Sequence, residues 1–369
     1  MIGTKGRDVV LDFWRGIAIF GVLLQHVVYF HYPLFRRFSE TDLSGAYLHD
    51  ILLYADKVLV SVAYRSGLLG VQCFFIISGF IITTLMLKEE RERGTMDPIA
   101  FYFRRVCRII PPYAFYIVSL VVFGFFGLIQ VNYAALPFAT GFLCNMPFAS
   151  CDWHLAHTWT LSIEEQFYIV WPLIFLCIGK KYRVSFVACT IAGLAVLSSL
   201  GLFNAHGWVD NPLSFACIAL GALYALSEGF RTHVRKYGIP TTLTFITLLG
   251  FAEFVLRAGE IVHIVYRIVT PFFLLVAIVE SYRLKDLVSM RLAPLGKVVV
   301  GLGLISYSLY LWQEVFTVPP EPYPADSFLS WPILMFAFAI FSYFVIEKPV
   351  IAWGKHRLKE RSDKFGPGI

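Results

Sequence analysis

Long apolar runs separated by short polar, cation-rich segments dominate the chain, and they fall at roughly 9–30, 67–87, 111–130, 157–178, 184–204, 212–227, 239–256, 262–280, 298–318 and 331–352. Most approach the length a helix needs to cross hydrocarbon, and none shows the period-two alternation of a lipid-facing barrel strand. The pattern predicts an all-α, polytopic membrane helical bundle of about ten transmembrane helices. An even number of spans returns both termini to one side. The first run, LDFWRGIAIFGVLLQHVVYF, carries Arg15 and His26, ionisable groups where hydrocarbon makes them unfavourable and usually functional. Eleven residues turn a helix through about 1100°, about 20° past three turns, so the two share a face roughly 16 Å apart along the axis.

Composition agrees with this pattern. Of the 369 residues 58% are hydrophobic, and the mean hydropathy is +0.69, well beyond what a soluble domain carries. No Ser/Pro-rich linker, low-complexity tract or internal repeat marks an appended soluble domain, so one membrane domain over 1–352 is expected, followed by a basic tail at 353–369. The first run ends without a small-residue cleavage site and reads as a retained helix.

Charge sets the orientation. With cytoplasmic termini, 23 of the 31 Lys and Arg fall in inner segments. Five (Arg36, Arg37, Lys57, Arg65, Arg257) are then outside, and Arg15, Arg267 and Lys348 lie within helices. The positive-inside rule favours this arrangement, which also accounts for the net charge of +6 without nucleic acid. A basic inner face suits anionic lipid or an anionic cytosolic cofactor. Arg15 then lies toward the cytoplasm and His26 beyond the midplane, as a reaction joining a cytosolic donor to an outward-facing acceptor requires.

His26 is the one side chain of this helix that exchanges a proton near neutral pH, and so suits a general base; a histidine bonded between helices is the bland alternative. Arg15 either pairs with Asp12 one turn away or holds phosphate. Arg104, Arg105 and Arg108 run into the segment opened by Pro111 and Pro112, where nucleotide phosphate and lipid headgroups are both open readings. In HTWTLSIEEQFYIVWP, the polar group Ser162, Glu164, Glu165 and Gln166 opens a span on the side of His26. There the carboxylates either cap a helix or orient the imidazole. Glu253, Arg257, Glu260 and Arg267 read as mutual ion pairs, with Arg267 also a candidate acceptor contact. Cys144 and Cys151 share a loop and pair if it faces an oxidising side; spacing leaves this open. The other cysteines read as buried hydrophobes, and no Cys/His spacing suggests a metal.

Five segments in chain order resemble the acyltransferase-3 family of membrane O-acyltransferases. They are Arg15-x10-His26, the G-V-x-x-F-F-x-I-S-G-F stretch Gly70 to Phe80, R-x-x-R-I-x-P at Arg105 to Pro111, W-x-L-S-x-E-x-Q-F-Y at Trp159 to Tyr168, and S-Y-x-x-I-E-x-P at Ser342 to Pro349. One departure stands out: where the family commonly has a histidine after its S-Y-x-x-Y-L pattern, this chain has Gln313, which hydrogen-bonds but does not titrate. The resemblance, to the stand-alone type without a hydrolase-like domain, implies transfer of acetyl or another short acyl group from acetyl-CoA or another acyl-CoA. The acceptor would be a hydroxyl of a cell-surface glycan or lipid-linked saccharide, at a bacterial inner membrane.

On that reading Arg105, Arg108 and Arg15 hold CoA phosphates and His26 acts as base or transient acyl carrier. Glu164 orients His26, and Ser162, Gln166, Tyr168, Arg267 and Gln313 contact substrate. A transporter or flippase is the rival class, since it too places ionisable groups in a polar groove; it predicts broken, paired helices and internal repeats.

Overall fold

The computed structural model describes residues 8–40, 46–205, 209–238, 240, 242–244, 247, 260–282, 293–317 and 330–365. The helices are α1 (Val9–Glu40), α2 (Ala46–Arg93), α3 (Pro98–Phe125), α4 (Leu136–Thr140), α5 (Trp153–Ala156), α6 (Thr158–Cys177), α7 (Lys180–Ser199), α8 (Asn211–Leu226), α9 (Glu228–Val234), α10 (Glu260–Ser281), α11 (Ala293–Leu304), α12 (Ser306–Thr317), α13 (Ser330–Phe341) and α14 (Lys348–Phe365). One π-helical turn, Ser342–Glu347, precedes α14. Among the described residues the strands are a single antiparallel pair, β1 (Asn204–Ala205) and β2 (Val209–Asp210). The all-α class therefore holds.

Five helical segments are long and apolar enough to cross a membrane among the described residues, or up to seven if each of two bent helix pairs counts as one span. The run expected to be one helix at 298–318 is α11 and α12, bent by 79°, and α8 turns by 107° into α9. Ser227 drives the second break by leaving helical geometry and accepting the Phe230 amide at 3.1 Å, an N-cap that starts a new helix. The run expected at 111–130 begins earlier, at Pro98, because Asp97 caps it through the Ala100 amide at 3.0 Å and proline suits the first helical turn. Pro111 and Pro112 thus lie inside α3 rather than opening it. Of the expected span 239–256 only residues 240, 242–244 and 247 are described, and the ion-pair cluster Glu253, Arg257 and Glu260 lies outside the residues whose side chains are described.

The chain divides into two compact units: Met1–Val71 with Pro294–Phe341, and Gln72–Ala293 with Ser342–Ile369. In the first, α1 and α11 approach so closely that a Cβ on Gly16 would overlap the Val299 carbonyl, and one on Gly303 the Asp12 carbonyl. Small residues at a crossing give this contact between helices that lack a hydrophobic drive to associate in lipid. In the same unit α12 is fixed by Trp312, fully buried and 4.7 Å from the Phe338 ring of α13.

In the second unit α8 is apolar on all sides and buried along most of its length, as a central helix must be. The Trp171 indole donates to Thr83 Oγ1 at 2.9 Å, tying α6 to α2. Arg104 of α3 pairs with Glu89 at 2.8 Å, and Arg183 holds Glu90 through two bonds of 2.9 and 3.0 Å.

Candidate active site

The candidate residues fall into two groups, one in each unit. In the first unit α1 presents His26 and α12 presents two consecutive polar residues. His26 Nδ1 lies 3.2 Å from Gln313 Oε1. With the amide oxygen turned to the ring, Gln313 accepts from Nδ1–H and the other ring nitrogen faces Glu314. Glu314 Oε1 lies 3.7 Å from that nitrogen, Nε2, and the side chains of His26 and Glu314 are 18% and 4% exposed.

Gln313 is wholly buried and its amide nitrogen has no partner, leaving a donor beside the imidazole. Further along α1, Arg15 Nη1 is 3.6 Å from Asp12 Oδ1, so the local ion pair forms.

In the second unit, Glu164 of α6 accepts from Ser78 Oγ at 2.9 Å and from the Tyr168 hydroxyl at 3.2 Å. The motif residues Ser78, Glu164 and Tyr168 are thereby brought together. Arg105 of α3 lies over the Tyr168 ring at 5.6 Å and the Phe101 ring at 5.9 Å. Its Nε is buried without a partner, as is Oε1 of Glu165. Among the described residues neither Arg105 nor Arg108 forms an ion pair, in contrast to Arg104. A cationic donor and an acceptor left unsatisfied in one buried neighbourhood are unfavourable unless a ligand completes them.

Three sequence candidates do structural work. Ser162, fully buried, accepts from the Cys144 amide at 3.2 Å and donates to the Thr158 carbonyl at 2.9 Å. Gln166 forms a reciprocal amide pair with Asn145. Arg267 is ion-paired to Asp210, which also caps α8 and accepts from Ser198 Oγ at 2.6 Å. Cys144 and Cys151 are joined in a disulfide with Cα atoms 5.7 Å apart, within the usual range for such bridges. Among the described residues no group of three or more His, Cys, Asp or Glu could hold a metal ion.

Glu314 and Ser78 were not among the sequence candidates. Glu314 carried a usable signal, a carboxylate inside the run 298–318. Ser78 carried only its place in a motif.

The fold and its polar groups define an integral membrane protein with ionisable side chains buried between helices. An acyltransferase domain family matches residues 8–347, and the chain belongs to it, the acyltransferase-3 family. A Staphylococcus aureus (strain MRSA252) protein provisionally named as an O-acetyltransferase is 28% identical over 338 residues, covering 80% of this chain and 54% of that protein. The O-acetyltransferase OatA of Staphylococcus aureus (strain NCTC 8325 / PS 47) is 27% identical over 325 residues, covering 77% of this chain and 52% of that protein. The chain thus spans about half the length of the curated relatives it matches. No solved structure matches it.

Proposed function

We propose that this chain is a membrane O-acetyltransferase that moves an acetyl or other short acyl group from cytosolic acyl-CoA to a hydroxyl of a cell-surface glycan or lipid-linked saccharide. The observation that carries this reading is His26 held at Nδ1 by Gln313 within a domain of the acyltransferase-3 family. Nε2 takes the proton of the acceptor hydroxyl as its oxygen attacks the thioester carbonyl. The C–S bond breaks, and the departing thiolate of CoA takes the proton back from His26. Glu314 stabilises the imidazolium between these steps, and the free N–H of Gln313 is available to a substrate oxygen. A transient acyl group on His26 is the covalent variant of the same chemistry.

Arg105, with Arg108, receives the anionic donor, and Glu165 accepts one of its N–H or O–H groups. Glu164, held by Ser78 and Tyr168, belongs to the same machinery. Ten spans with cytoplasmic termini in a bacterial inner membrane fit the loop charges, and a disulfide in the 126–152 loop is consistent with an oxidising outer side.

The testing experiment supplies labelled acetyl-CoA to wild-type and His26→Ala protein in vesicles and follows thiol release. A second reading, transport of a polar substrate, draws on the two bent helix pairs, because interrupted helices line transporter sites. Saturable CoA binding by purified protein favours the enzyme; its absence favours transport.

A further inference from the structure

We propose that the cavity beside the Cys144–Cys151 loop is a binding site for the hydrocarbon chain of a membrane lipid. The cavity, of about 260 Å³, lies among the 145–147 segment, the end of α7 and the start of α8. Met146, Pro147, Leu194, Leu197, Phe203 and Phe215 give it apolar walls. The volume accommodates a stretch of chain and falls below the usual range for drug-sized or nucleotide ligands.

Its polar end is a closed cluster of amides. Asn145 donates to Gln166 Oε1 at 3.1 Å and to Asn211 Oδ1 at 3.3 Å. Gln166 donates back to Asn145 Oδ1 at 2.9 Å and to the Phe142 carbonyl at 3.0 Å. Asn211 donates to the Asn145 carbonyl at 2.9 Å and to the Phe203 carbonyl at 3.0 Å. Each amide has two N–H bonds, and all are engaged within the cluster. The nearby charges, Asp210 and Arg267, neutralise each other. The cavity therefore offers no cation and no free amide donor to a phosphate, a carboxylate or a CoA fragment.

Two of the three backbone carbonyls that this cluster captures belong to Phe142 and Phe203, with φ of 54° and 61°. Among the described residues these are the non-glycine positions in left-handed backbone, which bulky side chains adopt only under constraint and which gather at ligand clamps. The amides thus hold Phe203 as a wall of the cavity, and the disulfide closes the short loop that carries Asn145, Met146 and Pro147. The site is built before any ligand arrives.

The occupant follows from what surrounds the opening. Only 17% of the apolar window of α7 is buried, Val196 near its end is exposed, and so are Leu200, Leu202 and Phe203 in the turn that follows it. Apolar side chains left exposed at the end of a membrane-spanning helix meet acyl chains at lower free energy than water. A preformed apolar cavity on this margin is filled from the bilayer. The inference stands apart from the proposed reaction and does not depend on it.

The test is photolabelling of the full chain in phosphatidylethanolamine–phosphatidylglycerol vesicles doped with a phospholipid carrying a diazirine on one acyl chain. Adducts are mapped by mass spectrometry. The expected result is adducts on residues 194–215 that fall at least fivefold in Leu197→Trp, while adducts on the exposed Val170 and Leu173 of α6 are unchanged. Leu194→Phe, a smaller filler, gives the same comparison should the indole impair insertion. Labelling of α6 without labelling of 194–215, or equal labelling of 194–215 in wild type and the filled variants, would overturn the proposal.

Discussion

Gln313 Oε1 accepts a hydrogen bond from His26 Nδ1 across 287 residues of sequence, at 3.2 Å. This contact fixes the ring with its other nitrogen, Nε2, turned toward Glu314. An amide does not titrate, so the role proposed for Gln313 is to orient the imidazole.

Replacing Gln313 tests that role. Gln313→Leu removes both the acceptor for Nδ1–H and the neighbouring N–H donor, and should lower kcat about tenfold to a hundredfold, the range of one to two lost hydrogen bonds to a reacting group. Gln313→Glu keeps the acceptor and adds charge. It should restore much of the rate.

Glu314→Gln separates charge from shape. The proposed role of the carboxylate is to stabilise the imidazolium formed when Nε2 takes the hydroxyl proton, so its removal should lower kcat about tenfold while CoA affinity changes less than about threefold. An unchanged kcat would remove Glu314 from the mechanism.

Arg105→Ala should weaken donor binding about tenfold to a hundredfold, because a buried guanidinium contact to an anion contributes about 1.5–3 kcal/mol. Isothermal titration with CoA measures this. Arg104→Ala is the matched control, since Arg104 is already neutralised by Glu89, and its effect on CoA affinity should be under threefold.

Reduction of the Cys144–Cys151 bridge should lower stability by about 2–3 kcal/mol, as expected for a loop closed over so few residues. Thermal unfolding with and without reductant gives the value. Cys144→Ser with Cys151→Ser should reproduce the reduced protein.

How far the sequence could be read differs from element to element. The apolar runs located α3, α6, α7 and α8 because lipid demands uninterrupted hydrophobic length, a property that composition displays directly. The break between α11 and α12 was invisible, since Ile305 is as apolar as its neighbours and nothing local marks the turn. Asn145 likewise looked like an ordinary loop residue; its part in the amide cluster depends on Gln166 and Asn211 arriving from two other helices.

His26 and Glu164 were legible as polar groups in apolar runs, and Arg105 as one of three arginines in the basic segment leading into the next run. Ser162, Gln166 and Arg267 were legible for the same reason, yet the structure engages them in holding loops and helix ends. Burial of a polar residue is visible from sequence, but the partner that satisfies it is not.

The most direct measurement is the rate of thiol release from acetyl-CoA by wild-type and His26→Ala protein in membrane vesicles containing cell-envelope material, with CoA binding measured on both. The account predicts that the variant loses about a hundredfold to ten-thousandfold in rate, as for a missing general base, while binding CoA as the wild type does. A His26→Ala protein that releases thiol at the wild-type rate, or a wild type that releases none above protein-free vesicles, would contradict it.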